Sequence, residues 1–176
     1  MYSERLTYRL VVENDLESVH KLHSIPEVDQ FNALGIPKNN KVTKKVLDNW
    51  ITENKAEKRQ SRTFAVELKT KEFIGIFGVK YSNEKYQKAE FWFKFDPQFW
   101  NNGYATEALK HFLKECFESN GLHRVEAGCA VKNYGSKRVL EKCGFVQEGI
   151  QRQNLPLKSG WSDNFEFGLL KDEWKK

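Results

Sequence analysis

Trp100-Asn101-Asn102-Gly103-Tyr104-Ala105-Thr106-Glu107-Ala108-Leu109 decides the reading of this chain. Before it, the aromatic run Ala89 to Phe95 has the character of a strand, and Asp96-Pro97 stops it. After it, Ala105, Ala108, Leu109, Phe112, Leu113, Cys116 and Phe117 recur at i, i+3, i+4 spacing and predict an amphipathic helix. A strand, a short turn holding Gly103 and an immediate helix place the first helical amides, which have no intrahelical acceptor, beside the positive end of the helix dipole. Phosphate oxygens suit such a position. The nucleoside-triphosphate loop Gly-x-x-x-x-Gly-Lys-Ser/Thr and the dinucleotide fingerprint Gly-x-Gly-x-x-Gly are both absent. What is left is a cradle of backbone amides with no dedicated lysine. The bland alternative is that Gly103 marks an ordinary turn.

Outward from that stretch, Phe64, Val66 and Leu68 alternate, Lys69 to Glu72 turns the chain, and Phe73 to Tyr81 returns. Ser82 to Gln87 turns it again before the strand Lys88 to Phe95, giving an antiparallel meander. Upstream, Leu6, Tyr8 and Leu10 predict a first strand. Asn14-x-x-Glu17 reads as a capping-box-like start for a helix bearing Leu16, Val19 and Leu22. His20 and His23 on that helix are expected to be surface or satisfied side chains. Periodicity fails from Pro26 to Asn40, as in a lid or binding loop. Val46, Leu47, Trp50 and Ile51 then make a helical stripe, with Thr43 as the expected cap, and Glu53 to Arg59 reads as a charged helix end. Downstream, Asn120-Gly121 stops the long helix and Arg124 to Val131 reads as a strand. Asn133 to Lys142 reads as a short helix. Phe145 to Gln153 and Trp161 to Leu169 form a closing pair around a loop from Asn154 to Gly160. The order predicts one mixed α+β sheet with helices on its faces. The step from Phe95 to Arg124 is a parallel crossover, which puts the central loop at a carboxyl edge of the sheet, a favoured ligand position.

Composition bounds the rest. A chain of 176 residues, 39% hydrophobic and 14% aromatic, is a single folded domain spanning 1–176. The net charge of +5 is compatible with an anionic cofactor or a ribosomal partner, and equally with an ordinary enzyme, and gives no direct sign of nucleic-acid binding. Cys116, Cys129 and Cys143 have neither Cys-x-x-Cys pairing nor histidine spacing for zinc, so no metal is expected, and reduced thiols in a cytoplasmic chain are. Glu4, Arg5 and Arg9 interrupt the start before any apolar run, and Phe73 to Val79 is too short to span a bilayer, so no membrane is expected.

The segment Asp96 to Ala108 resembles the acetyl-CoA pyrophosphate loop of the GNAT N-acetyltransferases, nearest to the RimJ/RimL branch of ribosomal-protein N-terminal acetyltransferases. Further segments are similar in order: Arg5-Leu6, Phe73-Ile74-Gly75, Ala89-Glu90, Leu122 to Ala127, Asn133 with Ser136, Val139 to Phe145, Glu148-Gly149, and Leu169 to Trp174. The resemblance implies the GNAT fold, a central, mostly antiparallel sheet with helices on both faces. It also implies two central strands splayed around the pantetheine arm, acetyl-CoA as cofactor, and transfer to a primary amine in a ternary complex. The acceptor is a peptide N-terminal amine or a small amine, and the family leaves room for a homodimer.

The resemblance assigns residues. Backbone amides of Asn101, Asn102, Gly103, Tyr104, Ala105 and Thr106 would hold the pyrophosphate, with Asn101 standing where a glycine is usual. Asn tolerates the left-handed backbone better than most residues. Backbone N–H groups of Phe93, Lys94 and Phe95 would polarise the acetyl carbonyl. Asn133 would bond the cofactor arm, although helix capping alone explains it. Lys137 and Lys142 would face phosphates, or simply solvent. Ser136 would lie near the sulfur, because the tyrosine many relatives carry to protonate the thiolate is Leu140 here; Tyr134 is the fallback. Glu90 is the candidate base, or a structural ion-pair partner, with Asp163 second. His123-Arg124 reads as structural. Phe31, Trp50, Trp92 and Trp161 are candidates to line the acceptor cleft. The alternative class is a non-catalytic CoA-binding or ribosome-associated module on the same scaffold.

Overall fold

The structure, a computed structural model, describes residues 1–57 and 60–174; Lys58 and Arg59, within the charged run expected to end a helix, lie outside the described residues. Seven strands form one sheet: β1 (Leu6–Leu10), β2 (Ser61–Leu68), β3 (Phe73–Tyr81), β4 (Lys88–Phe95), β5 (Arg124–Ala130), β6 (Val146–Leu157) and β7 (Gly160–Leu170). Their order is β1-β2-β3-β4-β5-β7-β6. Every neighbouring pair is antiparallel except β4 and β5. The expected mixed sheet, mostly antiparallel with helices on both faces, is what forms.

Helices α1 (Leu16–His23) and α3 (Asn40–Lys55), with the single turn α2 (Pro26–Asp29) between them, cover one face. There Val19, Leu22 and Leu47 bury against Ala65 and Ile76. Helix α4 (Tyr104–Lys114) covers the other face with α5 (Tyr134–Lys142). Leu109, Phe112, Leu113, Cys116 and Phe117 bury as their spacing predicts, the last two on a wider π turn, Glu115–Ser119, that continues α4. Phe112 anchors this layer, its ring stacked 4.2 Å from Phe77 and also against Tyr8, Phe64 and Phe91. Burying each such side chain stabilises the fold by roughly 1.5–3 kcal/mol.

Three local expectations are corrected. Asn14 does not cap α1: the chain enters it through a 3-10 turn, Glu13–Asp15, whose Asp15 carboxylate accepts the Val12 N–H at 2.8 Å and two Arg9 hydrogen bonds, and no side chain caps α1 itself. Thr43 does not cap α3; Asn39 does, through Lys41 and Val42 amides, and Thr43 is buried inside the helix, bonded to His20 Nδ1 at 2.7 Å. The closing hairpin is longer than expected: β6 runs to Leu157 and β7 starts at Gly160, because register shifts in β6 absorb the residues expected to loop out.

One feature of the sheet positions the site. Strands β4 and β5 pair from Lys88↔Arg124 only as far as Phe91↔Ala127. Beyond that point β4 stays paired with β3 to Phe95↔Gly75, and β5 with β7 to Ala130↔Asn164. The two strands therefore diverge at their carboxyl ends with facing edges open.

Candidate active site

The central loop closes one end of that opening. Asp96 ends β4 and accepts the Gln98 N–H at 2.9 Å. The Trp100 indole donates back to the Phe95 carbonyl at 2.8 Å, folding the ring against the strand end. Asn101 (φ 62°) and Gly103 (φ 80°) both take the left-handed conformation, so asparagine adopts here a backbone that glycine more readily supplies. Between them the Asn102 side-chain amide donates to the Trp100 carbonyl at 3.0 Å. Helix α4 then opens with no side-chain cap. Among the described residues, no N–H from Asn101 to Thr106 is spent on a backbone or side-chain acceptor. Left-handed residues next to right-handed ones let successive amides converge on one anion, and the helix dipole adds to it. The loop thus fits the pyrophosphate that its sequence implied.

Sequence reasoning missed what holds this loop. Arg5 donates its backbone N–H and its Nε to the two Glu107 carboxylate oxygens, each at 2.7 Å, and its Nη1 to the Asn102 carbonyl at 3.0 Å. The guanidinium lies 4.6 Å from the centre of the Tyr104 ring, and the Ser3 hydroxyl donates to Glu107 at 2.7 Å. Burial pushes the Glu107 carboxyl up, but the hydrogen bonds from Arg5 and Ser3 outweigh it and hold the group below the usual range. Hydrogen bonding to Glu107 raises the Arg5 pKa in turn. The available signal was a lone acid, Glu107, in the first turn of a helix with uncapped amides, a position where a compensating cation is needed.

Across the opening, Asn133 caps α5, its Oδ1 accepting the Ser136 N–H at 3.1 Å, which leaves its amide NH₂ free to meet a ligand. The half-buried Ser136 side chain is in hydrogen-bond reach of Cys129 on β5, whose thiol burial pushes up to about 11. Lys137 spends its ammonium over the Phe165 ring at 4.8 Å and beside Glu141 at 3.8 Å. Lys142 is exposed in the last turn of α5, and Tyr134 is 66% exposed at its start.

On β4, alternate side chains go to opposite faces. Phe91, Phe93 and Phe95 join the α4 core, whereas Trp92 packs beside α1. Glu90 and Lys94 share the Trp92 face by the same alternation. Glu90 is exposed and, among the described residues, in no ion pair. Trp92 stands 5.4 Å from Trp50, which meets His23 edge-on at 5.8 Å. A cleft of about 510 Å³ opens here, walled by Trp50 and Trp92 and lined also by Asn32, Leu34, Lys80 and Lys94. Of the four aromatic candidates for the acceptor cleft, Trp50 and Trp92 line it. Phe31 does not, and Trp161 is 67% exposed near the tip of the β6–β7 hairpin. Asp163 accepts the Gln153 N–H at 2.8 Å, a bond within the β6–β7 hairpin. Arg124 ties Glu126 and Glu148 together, with Lys88 also on Glu126, a network across β4, β5 and β6 that bears out a structural reading of that segment.

Residues 5–146 match the family described as the acetyltransferase (GNAT) domain. The uncharacterized N-acetyltransferase YnaD of Bacillus subtilis is 29% identical over 98% of this chain and 97% of its own length. A solved GNAT-family acetyltransferase from Bacillus anthracis superposes with a TM-score of 0.84 at 27% identity, covering 98% of each chain. The spermidine N-acetyltransferase of Vibrio cholerae, solved with CoA and spermine, superposes with a TM-score of 0.83 at 23% identity over 96% of this chain and 97% of that one. Among the described residues, no helix is long and apolar enough to cross a membrane.

Proposed function

The chain belongs to the GNAT acetyltransferase family and is an acetyl-CoA-dependent N-acetyltransferase acting on an amine, and we propose that it works by direct transfer where β4 and β5 part. The observation that carries this reading is the end of β4–β5 pairing at Phe91↔Ala127 beside a loop of unspent amides. Bound acetyl-CoA would supply an activated thioester.

In this reading the amides of Asn101 to Thr106 hold the pyrophosphate and Asn133 bonds the pantetheine arm. Backbone N–H groups of Phe93 and Phe95, which the alternating β3 ladder leaves facing the open β4 edge while that of Lys94 is turned to β3, take the charge that develops on the carbonyl oxygen. Glu90, exposed and unpaired on the acceptor face, takes the ammonium proton directly or through water. The freed amine nitrogen would bond to the carbonyl carbon as the carbon–sulfur bond breaks, and the second proton it sheds would pass to the departing sulfur by way of the Ser136 hydroxyl, with Tyr134 in reserve. The acceptor class follows the RimJ/RimL-like branch, a peptide N-terminal amine, or is a small amine such as the polyamine named for the Vibrio relative.

Release of free thiol from acetyl-CoA, measured against peptides of varied N-terminus and against small amines, tests this. Glu90→Gln is expected to lower kcat by about 100-fold and Ser136→Ala by less, with CoA binding retained. Unchanged turnover in both variants would remove these residues from the mechanism.

A further inference from the structure

Beneath the acceptor cleft lies a set of polar groups that the transfer reaction does not use. Lys94 Nζ, Asn32 Nδ2, His23 Nε2 and Asp29 Oδ1 are all buried, and none has a hydrogen-bond partner. They come from four different places, β4, the α2–α3 connection, α1 and α2, and His23 is near enough to Lys94 to feel its charge. Lys94 and Asn32 also line the cleft. Asp29 is near enough to act on Lys94 electrostatically, yet they form no ion pair.

A buried ammonium without a partner is costly, and folded proteins retain one only where something compensates. The donors here outnumber the acceptors: Lys94 offers three N–H bonds and Asn32 an amide NH₂, against one open oxygen on Asp29. The neutral His23 imidazole can serve in either role. The group that completes this set is therefore rich in acceptor oxygens and negatively charged. Above it the cleft has aromatic walls, Trp50 and Trp92, and a second cation, Lys80, against the single carboxylate of Glu53. A polyamine would bring several ammonium groups to that surface and meet like charge.

We propose that the floor of this cleft is a carboxylate subsite, in which Lys94 and Asn32 hold the acid group of the acceptor while its apolar body lies against Trp50 and Trp92. The inference rests on the acetyltransferase reading and narrows it: the acceptor is an amine that carries a carboxylate, as a free amino acid or a short peptide does.

The test uses the full chain, wild type and Lys94→Met, with leucine, leucylglycine, leucylglycinamide and spermidine as acceptors. The wild type is expected to show a KM for an acid at least tenfold below that for the amide. Leucine against leucylglycine then separates a free amino acid from a peptide terminus. Lys94→Met is expected to close the acid–amide gap by raising KM for the acid, with kcat within about twofold and the acetyl-CoA KM unchanged. Asn32→Ala, on an irregular connection, should raise the same KM by a smaller factor even if the lysine variant folds poorly. Preference for spermidine, or an acid–amide ratio untouched by both variants, overturns the proposal. If no amine is acetylated, the catalytic reading fails separately. Calorimetric titration of N-acetyl-leucylglycine into wild type and Lys94→Met then decides the subsite alone, equal affinity overturning it and tighter binding by wild type supporting it.

Discussion

Arg5 and Glu107 stand 102 positions apart in sequence and meet through paired 2.7 Å hydrogen bonds behind the central loop. The N-terminal segment, folded back on β1 through Met1 and Tyr8, thereby becomes the rear support of the phosphate cradle. Arg5→Ala removes the contact to the Asn102 carbonyl as well as the ion pair. The expected result is an acetyl-CoA KM raised by about tenfold, equivalent to about 1.4 kcal/mol, with the amine KM unchanged in steady-state kinetics. Glu107→Ala strands Ser3 and Arg5 and is expected to cost about 1–3 kcal/mol of stability in chemical denaturation.

Gly103 enters α4 with φ 80°. A side chain in the left-handed region costs about 1–2 kcal/mol, which Asn tolerates better than Ala. Gly103→Ala should therefore weaken CoA binding in calorimetry by about tenfold and Gly103→Asn by much less. Equal losses in the two variants would mean that space, not backbone geometry, governs this position.

Gly78 faces Trp92 across the β3–β4 ladder, and a Cβ there would lie 2.0 Å from the indole. Gly78→Ala must push Trp92 out of the cleft wall, at about 1–3 kcal/mol of overpacking. The amine KM should rise while that for acetyl-CoA holds, a split that initial-rate measurements at saturating co-substrate resolve.

Burial pushes Lys94 down to about 8 from 10.5, with Asp29 opposing. Between those values the unfolded chain binds more protons than the folded one, so stability contributed by this group rises with pH across that window. At pH 7 the buried charge costs on the order of 3 kcal/mol. Lys94→Met should then raise Tm at pH 7 and lose that advantage by pH 10. His23 acts with the same sign in a lower window. Burial, with Lys94 and His20 adding to it, lowers it to about 3, so its contribution is whole above the ordinary histidine pKa of 6.5 and declines as pH falls toward 3. Denaturation curves of His23→Phe across pH 4–7 should lack part of the wild-type acid sensitivity.

The strand and helix faces were legible because burial imposes a period. Phe64, Val66, Leu109 and Phe112 all face inward as their spacing predicts. The loop was legible because Asn101 and Gly103 are residue types that the left-handed backbone selects. Caps were less so: Asn14 has the residue type of a helix cap, but Asp15, held by Arg9 of β1, closes a 3-10 turn on the Val12 N–H ahead of α1 instead. The Arg5–Glu107 support was invisible because ion pairs between distant segments leave no local pattern. Lys94 was read for its backbone amide; its side chain was the larger signal, a lysine in phase with Trp92 on a face that helices cover.

The parting of β4 and β5 also has a mechanical meaning. Only four residue pairs stitch β1–β4 to β5–β7, so the sheet is two panels on a short seam, and a ligand lying along the gap acts as a splint between them. Binding of CoA should slow amide exchange not only at Asn101 to Thr106 but also along the lips at Phe93 and Gly128, whose N–H groups the outer ladders leave facing the gap, and should make the two panels unfold as one.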